Sequence, residues 1–186
     1  ATDSLDEADE TVIVTMGSPT NASQGAITVH TATIMDDDAT PTISITDASV
    51  SESGTSVTVT VSMLGTSGSS ATVDYATSSG TATSATDFTA ASGTLTWTSG
   101  QTGDKTFSIT ITSDDIDESD ETITVTLSNA ANCSILDDSG TITITDDDGT
   151  PTIEFSAASA SVAESGSPSA TLSLSRESAS NVTVTY

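Results

Sequence analysis

Apolar and hydroxylic side chains alternate along most of this chain with a period of two, the signature of strands that bury one face. Thr42-Ile43-Ser44-Ile45-Thr46, Val57-Thr58-Val59-Thr60-Val61, Ala71-Thr72-Val73-Asp74-Tyr75, Thr94-Leu95-Thr96-Trp97, Phe107-Ser108-Ile109-Thr110-Ile111, Ile123-Thr124-Val125-Thr126-Leu127 and Ile142-Thr143-Ile144 all follow it. Gly54, Ser67-Gly68, Ser79-Gly80, Ser99-Gly100 and Gly103 punctuate these runs, and no segment shows a 3.6-residue period. The pattern predicts an all-β chain whose seven strands form an Ig-like antiparallel sandwich. Threonine suits its outer faces, because β-branched side chains fit a pleated surface.

The pattern also repeats. DEADETVIVTM from Asp6 returns as DESDETITVTL from Asp117, DDDATPTISI from Asp36 as DDDGTPTIEF from Asp146, and VSESG from Val50 as VAESG from Val162. The period is about 110 residues. Residues 39–148 then form one complete unit, 1–38 the C-terminal part of a preceding unit and 149–186 the N-terminal part of the next. The first residues lack the regions of a signal peptide and there is no initiator Met, so the chain reads as a window cut from a head-to-tail tandem array. In the alternative, the partial ends of neighbouring chains share a composite sandwich in trans and polymerise by strand exchange.

Composition narrows the function. There are 186 residues, with 27 acidic side chains against 2 basic ones (Lys105 and Arg176), for a formal charge of −25. No basic stripe exists to neutralise phosphates, which excludes nucleic acid and anionic membrane surfaces as partners. No run approaches the ~18 apolar residues of a membrane span. Ser and Thr make up about 38 % of the chain, a bias that suits disorder or a mucin-like stalk, but the strand phasing argues for a packed core. The single Cys133 is expected to be a free thiol in the loop between the last two strands, so stability must come from packing and bound ions.

The acidic residues cluster at strand ends: Asp114 to Glu121 between two strands, Asp146-Asp147-Asp148 after the last, Glu52 and Asp87 in loops. With no Lys or Arg expected nearby, a hard divalent cation is the cheapest neutralisation. Calcium, which takes six to eight oxygens in flexible geometry, fits better than magnesium, which keeps its waters, or zinc, which wants His and Cys.

VSESG (50–54), VDYATSSGTATSATDFTAASGTLTW (73–97), SDDIDESDETITVTLSN (113–129) and GTITITDDD (140–148) closely resemble the Calx-β repeat. The resemblance covers all of 39–148, with 1–38 similar to that repeat's final third and 149–186 to its opening third. It implies a seven-stranded Ig-like sandwich that binds Ca²⁺ at its distal loops, as in sodium–calcium exchangers, integrin β4 and large microbial surface proteins. Carried over by position, the ligands are Glu52, Asp87, Asp114, Glu118, Glu121, Asp146, Asp147 and Asp148, with Ile116 giving its carbonyl. Ser113 stands where the strongest family pattern has a third consecutive acid, which weakens one ion position. Asp115 and Asp117 are expected to be outer or solvated groups; Asp3, Glu7, Glu10 and Asp36 to Asp38 belong to the preceding site and Glu164 to the following one.

Weighed against calcium, the acidic loops could be solvated charge serving solubility in a salty habitat. Catalysis is not expected, because no nucleophile stands with a base and the acids are crowded in small sandwich loops. His30 reads as an ordinary strand residue, the Thr-x-Thr runs as half-exposed strands rather than an ice-binding face, and Asn21, Asn132 and Asn181 as acceptor sequons that a Ser/Thr-rich chain produces readily. The expected function is a structural and adhesive extracellular rod or filament at the cell surface, its partners being adjacent repeats or copies of itself and a surface ligand the sequence does not name. The alternative is a calcium-sensing regulatory module of a larger membrane protein.

Overall fold

A computed structural model describes residues 3–185. Thirteen strands follow one another: β1 (Glu10–Thr15), β2 (Val29–Ile34), β3 (Thr42–Ile45), β4 (Ala48–Ser51), β5 (Ser56–Leu64), β6 (Ala71–Ser79), β7 (Ser92–Trp97), β8 (Gly103–Thr110), β9 (Glu121–Ala131), β10 (Ser134–Ile135), β11 (Ser139–Thr145), β12 (Ile153–Phe155) and β13 (Leu172–Leu174). Each of the seven runs read from the alternation lies on a strand.

Residues 42–145 build two sheets, ordered β10-β3-β5-β8 and β4-β11-β9-β6-β7. They enclose one apolar core in an Ig-like sandwich. Ile43, Val59, Val61 and Ile109 come from the first sheet and Val73, Trp97, Ile123, Val125 and Ile142 from the second, all fully buried, with Phe88 arriving from the loop between β6 and β7. Tyr75 and Phe107 stack across the two sheets, centroids 3.8 Å apart. Trp97 satisfies its indole N–H on the Gly103 carbonyl at 2.9 Å, a bond made possible where Gly103 turns at φ +87°. Gly80 has a different reason to be glycine: a Cβ there would lie 2.5 Å from the Thr122 carbonyl oxygen.

The sandwich departs from a wholly antiparallel pattern at two edges. β10 pairs parallel with β3, and β4 pairs parallel with β11. The second pairing exists because the chain changes sheets after β3. Thr46 still donates its N–H to Thr60 in the first sheet at 3.2 Å, whereas the Asp47 carboxylate accepts Thr141 N–H of the second at 2.7 Å. β4 then runs beside β11 in the register Val50↔Ile144, Ser51↔Thr145, and Glu52 N–H closes the ladder on the Thr145 carbonyl at 2.9 Å. Since β9 opens with Glu121 opposite Ile144, this one strand switch delivers Glu52, Glu121 and Asp146 to the same end of the sandwich.

Outside the sandwich, β1 pairs antiparallel with β2 and β12 with β13. Val12 and Val14 correspond by the sequence repeat to Ile123 and Val125; the latter are 0 % exposed and the former 49 % and 58 %. The hairpins thus show apolar faces that the sandwich hides. Among the described residues, no helix is long and apolar enough to cross a membrane.

Candidate metal centre

Glu52 is the most buried charged residue of the sandwich, 7 % exposed, held at the end of β4 by the ladder just described. Its Oε1 accepts the N–H of Asp114 at 3.0 Å, drawing the acidic loop toward β4. The loop then folds on itself: Asp114 Oδ1 accepts Ile116 N–H at 2.8 Å, and Asp146 Oδ1 accepts Glu118 N–H at 3.3 Å. Carboxylate oxygens of Glu52, Asp146 and Asp148 converge within 4.8 Å of one another. Beside them Glu52, Asp87, Glu118, Ser119, Glu121, Ile144 and Asp146 line a cleft of about 10 Å³. That is roughly the room of one water-sized sphere, walled mostly by anionic oxygen. Such a donor set, hard carboxylate oxygen without His or Cys, fits Ca²⁺.

The nine expected ligand positions are therefore drawn to one end of the sandwich, Asp147 through the serine hydroxyls on either side of Glu52. Ser51 and Ser53 hydroxyls both donate to Asp147 Oδ2, which holds its carboxyl below the usual carboxylate range. Ile116 enters through its backbone N–H. Asp87 is fixed by Thr83 N–H on Oδ2 at 2.6 Å. Asp120, not expected at the site, orients it from outside by accepting the N–H of Asp146 at 3.1 Å. The sequence carried a signal for this in the repeat, because Asp9 accepts Asp36 N–H at 3.0 Å in the equivalent place.

One sequence expectation needs correction. The acidic loops were expected to lack a basic partner, yet Arg176 bonds Asp148 Oδ1 at 2.7 Å. Asp117, read as an outer or solvated group, contacts the following segment: its carbonyl accepts Ala179 N–H at 3.1 Å and its carboxylate accepts the Ser178 hydroxyl at 3.3 Å. His30 is an exposed strand residue of β2, and Cys133 is a half-buried free thiol between β9 and β10. Asp3, Glu7, Glu10 and Asp36 to Asp38 share one open depression of about 860 Å³, a wide counterpart of the narrow cleft.

Burial and crowding of like charge shift the carboxyl groups at this end of the sandwich. Burial raises the carboxyls of Glu52 and Glu118; the Asp114 charge raises Glu118 further, whereas at Glu52 the hydrogen bond from Asp114 N–H offsets part of the rise. Glu121 is pushed up to about 7, first by burial and then by Asp87. An unfolded Glu titrates near ~4.3, so between there and about 7 the native state binds more protons, and stability is lost as pH rises through that window. In chelator, the unfolding midpoint is therefore expected to fall from pH 5 to pH 8, and in saturating calcium this fall should shrink or reverse. A midpoint in chelator that rises across the same range would show that these carboxylates are not desolvated.

The model of the Calx-beta domain family matches residues 35–148. The apo-form Calx CBD1 domain is similar at 27 % identity with a TM-score of 0.54, over 59 % of this chain and 100 % of that one. CBD12 from CALX1.2 is similar at 28 % identity with a TM-score of 0.53, over 57 % of this chain and 46 % of that one, and the calcium binding domain CBD12 of CALX1.1 at 28 % and 0.52, over 57 % and 44 %. No curated protein matches the chain.

Proposed function

The chain belongs to the Calx-β domain family, a family of calcium-binding modules rather than enzymes, and on that premise we propose that it is part of a structural and adhesive extracellular protein whose sandwiches bind Ca²⁺ at their junctions. The observation that carries the reading is the convergence of Glu52, Asp146 and Asp148 within 4.8 Å at the end of β11, from which the chain leaves for its next segment. Bound calcium supplies positive charge and a demand for six to eight oxygens. Glu52 and Glu121 would hold the ion from the sandwich, Asp114 and Glu118 from the acidic loop, and Asp146 and Asp148 from the segment that leaves β11. Once their repulsion is neutralised, that segment and the loop hold one geometry, and Pro151 restricts the following segment by fixing φ. The loaded array is a stiff rod at the cell surface, and its partners are adjacent repeats.

The exposed apolar faces of β1–β2 and β12–β13 support continuation of the array, since a complete unit covers the equivalent positions. They serve equally for strand exchange between chains, which predicts polymers of the isolated chain.

Affinity separates the rod from the sensor. Extracellular structural modules bind calcium at about 10⁻⁴–10⁻³ M and sensors at about 10⁻⁷–10⁻⁵ M. Calorimetric titration of the chain is expected to give the weaker range, matched to an environment where the sites stay filled. Micromolar or tighter binding would favour the regulatory module, and no heat of binding would remove calcium from both readings.

A further inference from the structure

Two segments about 111 residues apart make the same backbone contact, and we infer that the Thr66–Gly68 turn is the docking surface on which each unit receives the acidic loop of the unit before it, through main-chain hydrogen bonds that need no ion. This deepens the tandem-array reading and rests on it. Asp6 forms a parallel bridge with Ser67, and Asp117 with Ser178, so both members of the pair are displaced by one period. At the first junction Asp6 N–H donates to the Thr66 carbonyl at 3.0 Å and Gly68 N–H to the Asp6 carbonyl at 2.9 Å; at the second, Ala179 N–H donates to the Asp117 carbonyl at 3.1 Å.

The side chains around this contact differ. Leu5 becomes Ile116, Thr66 becomes Glu177, Gly68 becomes Ala179 and Gly65 becomes Arg176, yet the bridge keeps its register. A contact that survives such changes is specified by backbone geometry, as in strand addition to a sheet edge.

The receiving turn is shaped beforehand by its own unit. Ser67 is 3 % exposed, its carbonyl accepts Gly100 N–H at 2.9 Å, and the Ser99 hydroxyl donates to the Gly68 carbonyl at 2.8 Å. Leu5 comes against Gly100. Asp117 lies between Ile116 and Glu118, so the loop that holds the acidic site is the loop that grips the next unit. Direction is then passed from unit to unit by the backbone, and the ion acts on a junction already seated.

Amide hydrogen exchange on the whole chain tests this, read at Asp6, Gly68 and Ala179 with calcium and with chelator. The expected result is exchange slowed about tenfold or more below the unstructured rate in both conditions. Ala179→Pro deletes one donor outside the sandwich; it should free the 176–179 segment while the core amides of Val125 and Ile142 stay protected and the unfolding midpoint is unchanged. Unprotected amides beside a protected core, or protection confined to calcium, would overturn the inference. Failure of the rod reading is separate: it appears as absent or micromolar calcium binding, whatever these amides do.

Discussion

In excess calcium the chain should unfold about 10 °C higher than in chelator, and Glu52→Gln should abolish that difference while raising the midpoint in chelator. A ligand at 100 times its dissociation constant adds about 2.7 kcal/mol to the folded state, and for a sandwich of this size each kcal/mol moves the midpoint by about 4 °C. The opposite sign in chelator follows from the burial of Glu52. Its carboxylate faces Asp114, Asp148 and Glu118 without a cation of its own, so charge at this position costs stability until an ion is bound. Glutamine keeps an oxygen for the Asp114 N–H and removes the charge. Thermal scans of both proteins, with calcium, with chelator and with sodium chloride of equal ionic strength, check the claim. If sodium chloride raised the midpoint as much as calcium, the loops would be screened surface charge. A Glu52→Gln chain that still gained the full calcium shift would move the site away from β4.

Much of this was open to reading before any coordinates, for an identifiable reason. Strands such as Val57 to Val61 and Ile123 to Leu127 announce themselves by local alternation, and the alternation survives folding because one face is buried. β4 does not announce itself. Its sequence, Ala-Ser-Val-Ser, holds one large apolar residue, and its place depends on a parallel pairing with β11, almost a hundred residues away in the chain. Asp47, which secures that switch, looks like any loop aspartate until Thr141 is beside it.

The site divides in the same way. Resemblance to a known repeat singled out Glu52, Asp87, Asp114, Ile116, Glu118, Glu121, Asp146, Asp147 and Asp148 as ligand positions. Resemblance lists positions and not partners, so it could not tell that Ser51 and Ser53 occupy Asp147 or that Asp120 steadies Asp146. The Arg176–Asp148 pair was hidden for a physical reason. It spans 28 residues across the junction, and its geometry depends on where the Asp117–Ser178 bridge sets the following segment.

Trp97→Ala is expected to make folding itself depend on calcium. Trp97 is 0 % exposed, the largest fully buried side chain of the core, and its indole N–H is bonded to the Gly103 carbonyl. Truncating a buried Trp costs about 3–5 kcal/mol through lost contacts and the cavity left behind, and the freed carbonyl adds to that. Domains of this size are stable by about 5–15 kcal/mol in total. A sandwich whose acidic end repels itself belongs near the lower limit when no ion is bound, so the loss is comparable to the whole. Calcium returns about 3–4 kcal/mol when it is 100- to 1,000-fold above its dissociation constant, enough to restore a folded majority. Circular dichroism of the Trp97→Ala chain should therefore show a β-sheet spectrum in calcium that collapses on adding chelator and returns when calcium is restored. The unsubstituted chain should stay folded throughout. If the variant were equally folded in both conditions, the core would be stronger than this reckoning allows. If it were unfolded in both, calcium would be contributing less than the cost of the cavity, and the site would be a weak surface cluster.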